Sequence, residues 1–173
     1  MSSSAAVRAT AASVIDEVRQ HGRSLDAALE KGRRQLDDDN QALLAELAYG
    51  TLRHYRAVDW ILSQLLAKSL PKKESRAKAL LMLAIYEQWQ MRTPSHAAVS
   101  EAVNAMRKLK RPALARLANA ILRRFGREQA TLLAELARQP VAIVQSHPDW
   151  LVQQIRDDWP EHADAILSAN NAR

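Results

Sequence analysis

Apolar residues along the chain recur mainly at spacings of three and four, the signature of helix faces turned toward a core. Val7, Ala11, Val14, Ile15 and Val18 define a first helix, with Gly22 as its stop. Ser24 stands where it can cap a second helix carrying Leu25, Ala28 and Leu29. Asp37, Asp38 and Asp39 precede Leu43, Leu44 and Leu47, where carboxylates would cap a helix and oppose its dipole. That helical pattern runs to about Lys68, with a bend near Tyr55, until Leu70-Pro71 breaks it. A helix from about Lys73 to Met91 turns Leu80, Leu83, Ala84 and Trp89 inward. Thr93-Pro94-Ser95 reads as a turn, with Ser95 capping a helix from His96 to about Leu109. Pro112 opens the next helix, since proline is tolerated in a first turn, and the pattern ends near Phe125-Gly126. A further helix covers about 127–138, and Pro148 and Pro160 divide the tail into two short ones. No alternating stretch of convincing length argues for a strand, so the expected fold is all-α.

One phrase occurs twice. LAYGTLRHY (47–55) and LANAILRRF (117–125) share Leu, Ala, Leu and Arg at equal offsets, and both end in an aromatic ring. On a helix, positions 47, 48, 51, 52 and 55 fall within about 140°, as do 117, 118, 121, 122 and 125. Each set makes a stripe wide enough to face a core, with Arg53 and Arg123 pointing outward. Gly50 and Ala120 flank the stripes, where a neighbouring backbone could come close. Either the two helices are equivalent central elements of two small subbundles, or Leu-Ala helices have converged.

Composition narrows the partner. The 173 residues suffice for one good core and include no cysteine, which excludes disulfides, thiolate zinc sites and a cysteine nucleophile. The absence of cysteine suits a cytoplasmic location, and the N-terminal MSSSAAVRATAAS lacks the layout of a secretory signal. No apolar run approaches the ~18 residues of a membrane span. The net charge of +6 is unevenly placed. Residues 102–127 hold Arg107, Lys108, Lys110, Arg111, Arg116, Arg123, Arg124 and Arg127 and no acid, so the remainder sums to −2. Arg116 and Arg123, seven apart, share a helix face, and the first four cluster in the turn before it. The expectation is one continuous cationic surface suited to phosphates, which arginine's planar fork matches. Nucleic acid is the favoured partner and an acidic protein the alternative. A smaller group, Lys72, Lys73, Arg76 and Lys78, is diluted by Glu74.

Catalytic signatures are missing. There is no dinucleotide fingerprint, phosphate loop or zinc-protease motif. His21, His54, His96, His147 and His162 lack ligand spacing, so no metal site is expected. Ser95-His96 fits a cap and first turn better than a nucleophile and base. Asp157-Asp158 diverge on a helix and read as exposed carboxylates. Trp60, Trp89, Trp150 and Trp159 read as core or interface anchors, with base stacking the sharper alternative. No catalytic residue and no cofactor are assigned to this chain.

ELAYGTLRHYRAVDWIL (46–62), together with PSHAAVSEAVNAMRKL (94–109) and LANAILRRF, resembles the NusB family. That resemblance implies an all-helical bundle of two three-helix subbundles. SHPDWLVQQIRDDWPEHADAILSANNAR (146–173) looks like the link in RsmB-type rRNA methyltransferases, where a NusB-like domain precedes a catalytic domain. The implied catalytic domain uses S-adenosylmethionine and a cysteine nucleophile to methylate carbon 5 of a cytosine in small-subunit rRNA. The resemblance thus implies an RNA-binding domain over 1–140 and linker helices over 141–173, with rRNA and a C-terminal methyltransferase domain as partners. Two other readings stand: a stand-alone antitermination factor binding RNA and a ribosomal protein, or a helical protein-binding module.

Overall fold

The computed structural model describes residues 3–172; Met1 and Ser2 of the leader reading, and Arg173 at the end of the tail, lie outside the described residues. Ten α-helices are described: α1 (Ser4–His21), α2 (Leu25–Arg33), α3 (Gln41–Arg53), α4 (Tyr55–Leu65), α5 (Ser75–Trp89), α6 (Ser95–Lys108), α7 (Pro112–Leu136), α8 (Val141–Val144), α9 (Asp149–Asp158) and α10 (Ala163–Asn170). No strand occurs among the described residues, as the apolar spacing predicts.

Local chemistry sets several boundaries. The Ser3 hydroxyl accepts from the Ala6 amide at 3.3 Å and starts α1. Gly22, at φ +63°, ends it in the left-handed conformation that costs glycine least. Ser24 caps α2 as expected, accepting from the Ala27 amide. Pro112 is the first residue of α7, and Pro148 precedes α9.

Helices α1, α2 and α3 pack on one another, as do α5, α6 and α7. These are the two three-helix subbundles. They are fused through α1, which packs on α5 and α6, and through α3, which packs on α5. Helix α4 bridges α5, α7 and α8. One apolar core runs from Ala5 to Leu136, while Ala142, Val152, Ile155, Ala163 and Leu167 form a separate small cluster in the tail.

The true centre is α5. Every residue from Ala79 to Gln88 is buried, so this helix has no wet face over that length. The repeated phrases instead lie on the helices that close each subbundle, α3 and α7. The first phrase is not one helix: His54, at φ −99° and ψ 20°, breaks it, and Tyr55 begins α4. The break is filled by rings. His54 stacks on Tyr86 with centroids 5.9 Å apart and meets Trp89 edge-on at 5.5 Å. Arg19 lies 3.8 Å over the Tyr55 ring.

Gly50 does serve a close approach, but to a side chain rather than a backbone. A Cβ there would lie 2.0 Å from the Tyr86 hydroxyl. Tyr86 is itself buried and donates to Glu46 at 2.6 Å. Ala120 is exposed and makes no such approach.

Other boundaries differ from expectation for tertiary reasons. The pattern drawn to Lys68 stops at Leu65. Helix α7 continues through Gly126 to Leu136 instead of ending there. Glycine is needed for space, since a Cβ would sit 2.5 Å from the Ser95 hydroxyl. Ser95 is therefore not the cap of α6; Pro94 occupies that position. The run Asp37–Asp39 does not cap α3 directly. It leads into a 3-10 turn, Asp38–Asn40, in which Asp38 accepts from the Gln41 side chain at 2.8 Å. Trp60 and Trp89 pack against the core, but Trp150 and Trp159 are 70% and 53% exposed and anchor nothing within the described residues.

The tail motif Ser146-His147-Pro148-Asp149 ties the chain back to α4. The Ser146 hydroxyl accepts from the Ala57 amide at 3.1 Å, capping a helix 89 residues earlier in sequence. Asp149 lies 3.6 Å from Arg56. His147 is buried, with its ring between the Gln145 carbonyl and Asn170.

Helices α1 and α5 are also joined by a buried ion pair. Arg8 donates to Glu87 through Nε at 2.9 Å and Nη2 at 2.5 Å, with side-chain exposures of 7% and 1%. Burial pushes the Glu87 carboxyl up from the ordinary range, and the Arg8 guanidinium opposes that shift. Removing one member strands a buried charge, at a cost of about 3–5 kcal/mol. Arg8→Met should lower stability by that order in urea melts. Glu87 then holds its proton to higher pH when folded than when unfolded, so the deficit should grow as pH rises from 5 to 8. The double variant Arg8→Met/Glu87→Met should recover most of the loss. Gly50→Ala should destabilise by roughly 1–3 kcal/mol despite alanine's helix preference, because Tyr86 has nowhere to go.

Candidate nucleic-acid interface

The cationic window spans the end of α6, the connecting turn and α7 as far as Arg127, and the fold divides its eight residues. Arg116, Arg123 and Arg127 are exposed and fall within about 40° on α7. Arg107 joins them from α6: together with Val103, Pro112, Ala115, Arg116 and Asn119 it lines an open groove of about 520 Å³ between the two helices. Arg107 accepts positioning from Asn104, to which it donates at 3.0 Å, and Arg123 donates to Asn119 at 3.0 Å. No carboxylate lies within ion-pair distance of these four among the described residues. Neutral amides steer Arg107 and Arg123 without cancelling their charge.

Lys108 and Lys110 belong to a different surface. They line a groove of about 350 Å³ with Thr10, Ser13, Gln35 and Arg76, on the α1 side of the turn. Lys110 is held in an unusual backbone. Its amide donates to the Arg107 carbonyl at 2.9 Å, and the Arg111 amide donates to the Met106 carbonyl at 3.0 Å. This is the two-bond closure of a helix C-terminus whose left-handed position normally belongs to glycine. Here a lysine occupies it at φ 59°.

Arg111 and Arg124 depart from the single-surface expectation. Arg111 pairs with Glu74 at 2.7 Å. Arg124 pairs with Glu128 at 3.0 Å and reaches the Gln64 and Leu65 carbonyls on α4, on another side of α7. The i, i+4 spacing of Arg124 and Glu128 was a readable signal, because such pairs are neighbours on a helix. The Glu74 partner comes from 37 residues away and had none.

The smaller basic group is split likewise. Lys78 pairs with Asp59 at 2.7 Å. Arg76 and Lys73 instead turn toward the α6–α7 turn and share a groove with Lys110 and Arg111. Asp16, which the sequence did not single out, lines that same groove. No group of three or more histidine, cysteine or acidic side chains suited to a metal occurs among the described residues, and no described helix is long and apolar enough to cross a membrane.

The all-helical fold agrees with what comparison with known proteins finds. The NusB family model matches residues 5–127, and the chain belongs to that family. A second family model, for the ferredoxin-like domain of RsmF/B-like methyltransferases, matches residues 147–173. Among similar curated proteins is the ribosomal RNA small subunit methyltransferase B of Pectobacterium carotovorum, 38% identical over the whole chain and over 40% of that protein. The protein of the same name from Klebsiella pneumoniae is 36% identical over 96% of the chain and 38% of its own length. The chain therefore spans about two fifths of the curated relatives it matches.

The left-handed lysine gives a test of the turn geometry. Lys110→Gly should raise stability by up to about 1 kcal/mol in urea melts, since the relief of Cβ crowding outweighs glycine's greater unfolded freedom. The same change removes one cation from both grooves beside the turn.

Proposed function

We propose that this chain is the RNA-holding N-terminal part of a small-subunit rRNA cytosine-C5 methyltransferase that draws its methyl group from S-adenosylmethionine. The observation that supports the reading is the exposed set Arg107, Arg116, Arg123 and Arg127 along and beside the α6–α7 groove, two of them (Arg107 and Arg123) oriented by amides and none within ion-pair distance of a carboxylate among the described residues. The names of the similar proteins and the match over 147–173 support the methyltransferase half of the reading over a stand-alone antitermination factor.

Residues 1–140 hold the RNA and 141–173 lead toward the catalytic part. Cysteine, the nucleophile implied by the family resemblance, is absent from all 173 residues. The cofactor and the chemical step accordingly belong to the remaining length of such an enzyme. The arginine groove grips phosphate oxygens, fixing position and orientation without reading sequence. Shape and exposed single-stranded bases supply selectivity.

Binding of a single-stranded rRNA fragment should fall about 50-fold between 50 and 200 mM salt if four phosphates are neutralised. Arg116→Glu, Arg123→Glu and Arg127→Glu combined should flatten the log–log salt slope by about two units and weaken binding at low salt more than tenfold. Arg124→Gln, which breaks an internal pair, should change the slope little. Filter binding or fluorescence anisotropy reads both. A folded triple variant that binds as the parent does removes this groove from the function.

A further inference from the structure

A second feature of the surface has no part in the arginine groove. On the α1 side of the turn, Lys73, Arg76, Lys110 and Arg111 line a depression of about 300 Å³ together with Asp16 and Glu74, the latter paired with Arg111. Asp16 is 5% exposed, and its Oδ1 is buried without a hydrogen bond. Its nearest cation is Arg76, whose Nε stands 3.9 Å from Oδ2, beyond hydrogen-bond range. A carboxylate oxygen withdrawn from water with no donor is costly, and native folds almost always supply one. A ligand donor that takes the place of Arg76 beside Oδ2 would relieve the same carboxylate. The surrounding cations, one of them in a left-handed backbone that holds it beside the groove, would meet the ligand's negative charge.

We infer that this depression is a base-reading pocket for one nucleotide of single-stranded RNA, in which Asp16 accepts from an amino group of the base while Lys110, Lys73 and Arg76 hold the adjoining phosphates. The inference rests on the RNA-binding reading above and adds selectivity to it. The volume is at the lower end of small-ligand sites, as suits one nucleotide. Asp16 fixes the class of base. A carboxylate accepts readily from the amino groups of guanine, cytosine and adenine. Uracil offers the carboxylate only its N3–H, and the two carbonyl oxygens flanking that donor face the carboxylate with like partial charge. The pocket therefore favours amino-bearing bases over uracil. Arg76 is the internal competitor: it moves from its long pairing with Asp16 toward phosphate when the base arrives.

The test uses the 173-residue chain with short oligouridine RNAs, each carrying one guanine, cytosine or adenine at a central position, and the all-uridine parent. Anisotropy should show about tenfold tighter binding for at least one amino-bearing base than for all-uridine RNA. Asp16→Asn, nearly isosteric, should abolish that preference, because its amide can donate to uracil carbonyls. Lys110→Gly should weaken all the RNAs by a similar factor and leave the ratio intact. Equal affinity for every oligonucleotide with tight overall binding would overturn the pocket and leave the arginine groove standing. A preference that survives Asp16→Asn would overturn the role of the carboxylate. Loss of all RNA binding in the arginine variants, with the parent's base preference intact, counts for both readings.

Discussion

Helix α5 is enclosed on every side, and this enclosure is the constraint on which the rest of the fold depends. From Ala79 to Gln88 it offers neighbours only close-packed side chains, so α1, α3, α4, α6 and α7 must all lie against it. A buried helix of this kind can accept few polar groups, and each has a fixed partner. Glu87 is bound by Arg8, Tyr86 by Glu46, and Gln88 donates to the Leu122 carbonyl. These bonds run outward from α5 to α1, α3 and α7 in turn. They fix the rotation of each outer helix about the centre, which apolar contact alone would leave loosely specified.

Fixing those rotations also determines where the charge goes. With α7 held by Ala118, Leu122 and Phe125 against the core, Arg116, Arg123 and Arg127 have no direction open but outward. Arg124, one residue further round, is carried toward the α4 carbonyls instead. A cationic run that is uniform in sequence is thereby divided into an open groove, a pocket rim and two internal ion pairs. Under the proposed reading, the division separates two jobs: the exposed arginines attract phosphate generally, while the rim around Asp16 selects.

What could be read in advance follows the range of the forces involved. Gly22, Ser24, Pro112 and Pro148 act on residues within one turn, and each ended or began a helix where the sequence placed it. Gly126 looked like a terminator because nothing local reveals that the Ser95 side chain will press on it from α6. His54 was legible only as a bend, since the rings that fill the break, Tyr86 and Trp89, come from another helix. Ser95 and Asp37–Asp39 satisfied the rules for caps but were placed elsewhere by packing and by a tighter turn. The cationic residues were found as a set, whereas their sorting was not, because Glu74 and the α4 carbonyls are distant in sequence. Asp16 and Arg8 escaped notice for a related reason: a charged residue on α1, which also carries Glu17 and Arg19, announces neither a partner nor a cleft.

The serine that caps α4 from the tail has a mechanical consequence. A chain leaving α7 by an unanchored loop would behave as a leash, its far end sampling a broad sphere. Fastened at Ala57 and again at Arg56, the segment behaves as a caliper instead. Under the proposed reading, a catalytic part beyond α10 would take a set span and heading from the arginine groove, and the bound polymer would be gauged from there as if with a ruler.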